Sequence, residues 1–80
     1  MDDVEIVRRI NELADEEHAL ERSHAGGGLA VEEQQRLREL EIALDQCWDL
    51  LRQRRARREH GQDPDVAQVR DPGTVEGYQQ

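Results

Sequence analysis

Eighty residues carry a net charge of −8, with 38% charged and 35% hydrophobic side chains, and the only aromatic rings belong to Trp48 and Tyr78. A chain of this length supports one small domain. Leu, Ile and Val together number 17, about 21%, just above the level of roughly 20% below which highly charged chains stay disordered. A large core, a β-sandwich and a buried active-site cleft are excluded on those figures.

From Asp3 to about Ser23, Ile6, Ile10, Leu13 and Leu20 recur at steps of four, three and seven, which places them on one stripe of a helix. Asp2 or Asp3 is suited to cap its start, where acids also meet the positive end of the helix dipole. Gly26-Gly27-Gly28 stops the helix, because three glycines forfeit too much backbone entropy to continue it. They do not form a phosphate loop: no strand precedes them and no Gly-Lys-Ser/Thr follows. A Gly-rich turn is therefore expected over 24–30.

A second helix is expected from Val31 to about His60. Leu37, Leu40, Leu44, Cys47 and Leu51 repeat every 3.5 residues on average, the spacing of a coiled-coil seam. Ala30 offers no capping oxygen, although Glu32 and Glu33 favour the first turn. Gly61 and Pro64 mark the end. The short connection implies an antiparallel hairpin. Matching the stripes sets Leu20 opposite Leu37, Leu13 opposite Leu44, Ile10 opposite Cys47, Ile6 opposite Leu51 and Asp3 opposite Arg54.

Charge agrees with that register. Residues 1–21 carry a net −6, residues 51–60 a net +4, and antiparallel pairing brings the acidic start beside the basic end. The fold class read from these patterns is all-α, with residues 1–61 as the hairpin and 62–80 as a short, irregular Pro/Gly-containing acidic tail. Asp63-Pro64-Asp65 has the form of an N-cap, a first-turn proline and a dipole-matched acid. Asp71-Pro72-Gly73-Thr74 has the form of a β-turn. Two helices alone bury too little apolar surface, so the hairpin is expected to pair with a second copy as a four-helix bundle. Val7, Ala14, Trp48 and Leu50 are the residues left over for that dimer contact.

The sharpest chemical feature is the run Arg52, Arg54, Arg55, Arg57 and Arg58. Five guanidiniums on two helical turns can hold the phosphates of a nucleic acid, or an acidic face of another protein. They also answer Asp2, Asp3 and Glu5 across the hairpin and suit a helix C-terminus. Glu17, Glu21 and His24 are the residues nearest to a metal set, with Glu21 and His24 at the Glu-x-x-His spacing of di-metal bundles. Such a site needs further inward carboxylates, and the leucine seam lies opposite, so a solvated face is favoured and no metal or cofactor is expected. Cys47 is alone, which removes a disulfide or a cysteine metal cluster within the chain, and it reads as a small apolar residue of the seam. All eleven basic residues are arginine, so no lysine amine is available for covalent chemistry, and no catalytic triad is credible. The expectation is a non-enzymatic protein.

No apolar run approaches the length of a membrane span, and the acidic start is unlike a signal peptide. A cytoplasmic protein with no membrane contact is expected. The leading functional expectation is a protein–protein interaction or adaptor module, acting as a homodimer on an unidentified protein partner. The alternative is a nucleic-acid or ribosome-associated factor that binds phosphates through the block from Arg52 to Arg58.

The segments Glu16-Glu17-His18, Leu44-Asp45-Gln46-Cys47-Trp48-Asp49-Leu50-Leu51-Arg52-Gln53-Arg54-Arg55-Ala56 and Val75-Glu76-Gly77-Tyr78 resemble those of a small actinobacterial family known as domain of unknown function 2630. The resemblance spans nearly the whole chain. It implies a short cytosolic helical protein from a high-GC Gram-positive bacterium and brings no activity, ligand or catalytic residue. This chain has Ala30 where such sequences often show a helix-capping serine.

Overall fold

The computed structural model describes residues 1–23 and 30–78. Those residues form three α-helices and one 3-10 turn: α1 at Asp3–Ser23, α2 at Val31–Glu59, the turn at Pro64–Val66 and α3 at Pro72–Tyr78. The apolar stripes from Ile6 to Leu20 and from Leu37 to Leu51 fall within α1 and α2. The expected glycine turn lies outside the described residues, apart from Ala30.

α1 opens with a reciprocal cap. The Glu5 N–H donates to Asp2 Oδ1 at 2.8 Å, and the Asp2 N–H donates to Glu5 Oε1 at 3.4 Å, so two of the helix's unpaired donors are met. At the start of α2 only half of such a box exists, because Ala30 has no side-chain acceptor; Glu33 Oε1 accepts from the Ala30 N–H at 3.3 Å. α2 ends on Gly61 at φ +70°, a left-handed conformation that favours glycine. There the Gln62 N–H reaches the Arg57 carbonyl at 2.7 Å and the Gly61 N–H reaches Arg58 at 3.1 Å, a Schellman ending that turns the chain back along α2.

Asp3 contacts Arg54 and Glu16 contacts Arg36, so α1 and α2 run antiparallel with the acidic start of the chain beside the basic end of α2. Between them Ile6, Ile10 and Leu50 are buried as one cluster, with Leu44, Cys47, Leu51 and Ala67 packed against it. Leu13 and Leu40 are also buried.

Two expectations are corrected. Leu50, expected at a dimer contact, is 5% exposed and belongs to the hairpin's own core. Helical spacing turns it away from the leucine seam, and the tail's Ala67 packs against the cluster that it joins. The tail, expected to be irregular, returns along α2 and ends in α3. Asp71 is an N-cap rather than the first residue of a β-turn: its Oδ1 accepts from the Thr74 N–H at 3.0 Å and its Oδ2 from the Thr74 hydroxyl at 2.9 Å. Pro72 takes the first helical position, where its missing N–H costs nothing. Val75 is fully buried.

The molecule measures 50 × 25 × 16 Å, so its thinnest dimension is little more than one helix diameter, about 10–12 Å with side chains. Stability consequently rests on few side chains. Leu50→Ala should lower the unfolding free energy by about 2–5 kcal/mol, whereas Trp48→Ala, at a half-exposed position, should change it by less than about 1 kcal/mol; urea denaturation followed by far-UV circular dichroism distinguishes the two.

Candidate functional site

The arginine run does not act as one block. Helical geometry sends its members in different directions, and the structure divides them by what they meet. Arg54 is buried: its Nε donates to Asp3 Oδ1 at 2.5 Å, and its Nη1 donates to Asp65 Oδ1 at 3.0 Å and to the Pro64 carbonyl at 3.2 Å. Arg58 is exposed but reaches Asp3 Oδ2 at 2.8 Å. Asp3 is thereby held below the usual carboxylate range, first by Arg58 and then by Arg54. Arg57 is half-buried, and Arg52 and Arg55 are exposed.

Arg52, Arg55 and Arg58 share an open groove of about 400 Å³ with Asp3, Val7, Leu51 and Trp48. Trp48 is 49% exposed and Val7 46%. An indole of that size left half in water, rimmed by guanidiniums, combines a broad apolar surface with cations that also stack on π faces. Of the dimer residues expected from sequence, Val7 and Trp48 line this groove and Leu50 does not. Ala14 is half-buried.

The opposite flank of α2 carries a polar clasp that sequence reasoning missed. Asp49 is fully buried. It accepts two bonds from the Arg70 guanidinium, the Nε bond at 2.9 Å, and one from Gln53 Nε2 at 2.9 Å. Gln53 Nε2 also donates to the Gln68 carbonyl at 2.8 Å, and Gln46 Nε2 to the Arg70 carbonyl at 3.1 Å. Gln46, Asp49 and Gln53 stand three and four residues apart, one face of a helix. That polar row was the available signal, although its partner 21 residues on from Asp49 has no periodic signature. The Arg70 bonds, assisted by Gln53, hold the Asp49 carboxyl below its ordinary range against the opposing effect of burial.

Glu17 is half-buried, Glu21 is exposed, and His24 lies outside the described residues. Among the described residues no group of three or more His, Cys, Asp or Glu side chains could hold a metal ion. Cys47 is half-buried, and burial pushes its thiol up, with Arg9 acting in the other direction. No helix among the described residues is long and apolar enough to cross a membrane.

The class of molecule is thus a small helical hairpin, strapped along one flank by its own tail and open along the other at an arginine-rimmed tryptophan. It belongs to the family described as Protein of unknown function (DUF2630), whose sequence profile matches residues 2–80. It is similar to Uncharacterized protein Rv0898c of Mycobacterium tuberculosis and to Uncharacterized protein Mb0922c of Mycobacterium bovis. Each is 54% identical over 77 residues, covering 95% of this chain and 88% of the relative. No solved structure matches the chain.

The clasp has a pH signature. A carboxyl whose pKa is lower folded than unfolded contributes stability in full above the unfolded value, about 4, and loses it as pH falls through the folded one. Asp49, Asp3 and Glu16 all shift in this direction, with the exposure of Asp3 and Glu16 screening their share. Asp49→Asn should therefore destabilise the protein by about 1.5–3 kcal/mol at pH 7, with the gap to wild type closing as pH falls toward 3. Urea midpoints taken at pH 7, 5 and 3 and constant ionic strength measure this.

Proposed function

We propose that this chain is a protein-interaction module whose working surface is the open flank of the hairpin around Trp48. The observation that carries the reading is the half-exposed Trp48 beside Val7, in a groove rimmed by Arg52, Arg55 and Arg58. Tryptophan and arginine dominate the energetics of protein interfaces, and an aromatic anchor surrounded by charged groups is their usual arrangement. The tail lies on the other flank of α2, so it leaves this surface open.

A second reading has one specific support. Trp48 stands one helical turn before Arg52, so a base could stack on the indole while Arg52, Arg55 and Arg58 hold phosphates. Against it, Arg54 is turned inward and Arg58 is already engaged by Asp3. With Arg57 about 180° around the helix from Trp48, the block of five expected from sequence offers a phosphate backbone at this groove three guanidiniums, one of them shared.

Salt and one substitution separate the two. Affinity capture from the native host should retain the same protein at low and moderate salt, about 0.05 and 0.3 M, and lose it with Trp48→Ala. Should nucleic acid be captured instead, with a log–log salt slope of about −2 to −3 that disappears in an Arg52→Gln/Arg55→Gln/Arg58→Gln variant, the phosphate reading replaces the first.

A further inference from the structure

Residues 41, 45, 48, 52 and 55 of α2 follow one another at steps of four, three, four and three and fall within about 80° of arc. In order they are Glu41, Asp45, Trp48, Arg52 and Arg55: two acids, an indole and two guanidiniums. All are exposed except Asp45, which is half-buried. Among the described residues none of the four charged side chains takes part in an ion pair, unlike Asp3, Glu16, Arg36, Asp49, Arg54 and Arg58. α1 covers a second face of this helix and the tail a third. Among the described residues no further element packs against α2.

We propose that this stripe is a homodimer interface, in which α2 of a second copy crosses it antiparallel about a two-fold axis at Trp48. Glu41 of one protomer then meets Arg55 of the other, Asp45 meets Arg52, and the two indoles meet at the centre. The inference rests on the reading of this flank as an interaction surface and names its occupant.

A two-fold contact is isologous: whatever i meets on the partner, the partner's i meets in return. A charged interface can satisfy that only if its sequence inverts sign about the axis. This one does, because the midpoint of 41 and 55 is 48, and that of 45 and 52 is 48.5. Azimuth agrees with sequence position. Asp45 and Arg52 both lie about 40–60° to the same side of Trp48, the side on which a two-fold brings them together. Arg38 and Arg58, which the crossing sets level with one another, lie about 80° to opposite sides and do not face. A parallel arrangement would set Glu41 on Glu41 and Arg55 on Arg55, which like-charge repulsion disfavours. The apolar surface at the centre comes from Trp48, flanked by Val7 and by the half-buried Leu51.

Sedimentation equilibrium on the full chain tests this. Wild type should have twice the 9.3 kDa chain mass, with a dissociation constant that rises with salt. Glu41→Arg/Asp45→Arg and Arg52→Glu/Arg55→Glu should each weaken the dimer at least about tenfold with an unchanged helical spectrum. Mixing the two variants should restore a heterodimer, and the fourfold swap should restore a homodimer. A wild-type monomer at about 100 µM, a dimer indifferent to both swaps, or swaps that do not complement on mixing would each overturn the proposal. Protein or nucleic-acid capture that depends on Trp48, found with a monomeric wild type, would also overturn the second copy as occupant. It would leave the flank itself standing as a binding surface, so the two failures are told apart.

Discussion

A guanidinium taken out of water must find enough acceptors to replace its hydration, and Arg54 finds three of them on two separate pieces of chain: Asp3 at the start of α1, and Asp65 with the Pro64 carbonyl in the turn after α2. That demand fixes the start of the chain, the end of α2 and the beginning of the tail around one atom group. Arg58 joins the same Asp3, whereas the Glu16–Arg36 pair at 2.5 Å, toward the other end of the hairpin, is more than 40% exposed on both sides, and a solvated pair of that kind contributes little. Register is therefore specified at the Arg54 end, with Ile6, Ile10 and Leu50 completing it immediately beyond.

The Arg54 knot also sets the direction of the tail. Leaving α2 through the left-handed Gly61, the chain meets Arg54 at residues 64 and 65, Gln53 at 68, and Asp49 and Gln46 at 70. The partners descend in number along α2 as the tail ascends, so the tail lies antiparallel to that helix and parallel to α1. A two-helix hairpin has two open flanks, and this path covers one of them with a fully satisfied buried carboxylate at its centre. Asp49 would be intolerable there without Arg70 and Gln53. With them it holds down a segment whose few apolar contributions include Ala67 and Val75.

How much of this was legible depended on distance along the chain. Ile6, Ile10 and Leu13 repeat with the helix, and the opposition of Asp3 to Arg54 emerges once two periodic stripes are laid antiparallel, so both long helices and one ion pair could be read directly. Leu50 could not be placed, because the seam identifies the face toward α1 and is silent about what the tail covers. The Asp49–Arg70 clasp was hidden for the same reason: a contact 21 residues apart between a helix and a non-periodic segment leaves no repeat to find. At Asp71-Pro72-Gly73-Thr74 the local signals were ambiguous, since Asp before Pro opens a turn and caps a helix equally well. Packing decided it, with Val75 buried one residue after Thr74 closes the cap. For the site, Trp48 and Val7 were legible as surplus to the seam, but of the arginines only Arg54 was legible singly, through Asp3, and the others only as a block.

Dividing that block by direction changes what its charge is for. A helix C-terminus favours cations, but the effect falls off within the last turn, which here covers Arg57 and Arg58. Arg54 and Arg58 are accounted for by Asp3. Neither explanation reaches Arg52, two turns before the end of α2, or Arg55, whose side chain stands in solvent. Nor does either reach Glu41 and Asp45, which sit mid-helix, where no dipole favours a particular sign. These four residues have in common only their face and their symmetric placement about an exposed tryptophan. A self-complementary surface requires both properties at once. A nucleic-acid surface requires the cations and is weakened by the acids beside them, because carboxylates repel the phosphates that the arginines attract. The two acids, more than the five arginines, favour the proposed self-complementary surface on this flank of α2.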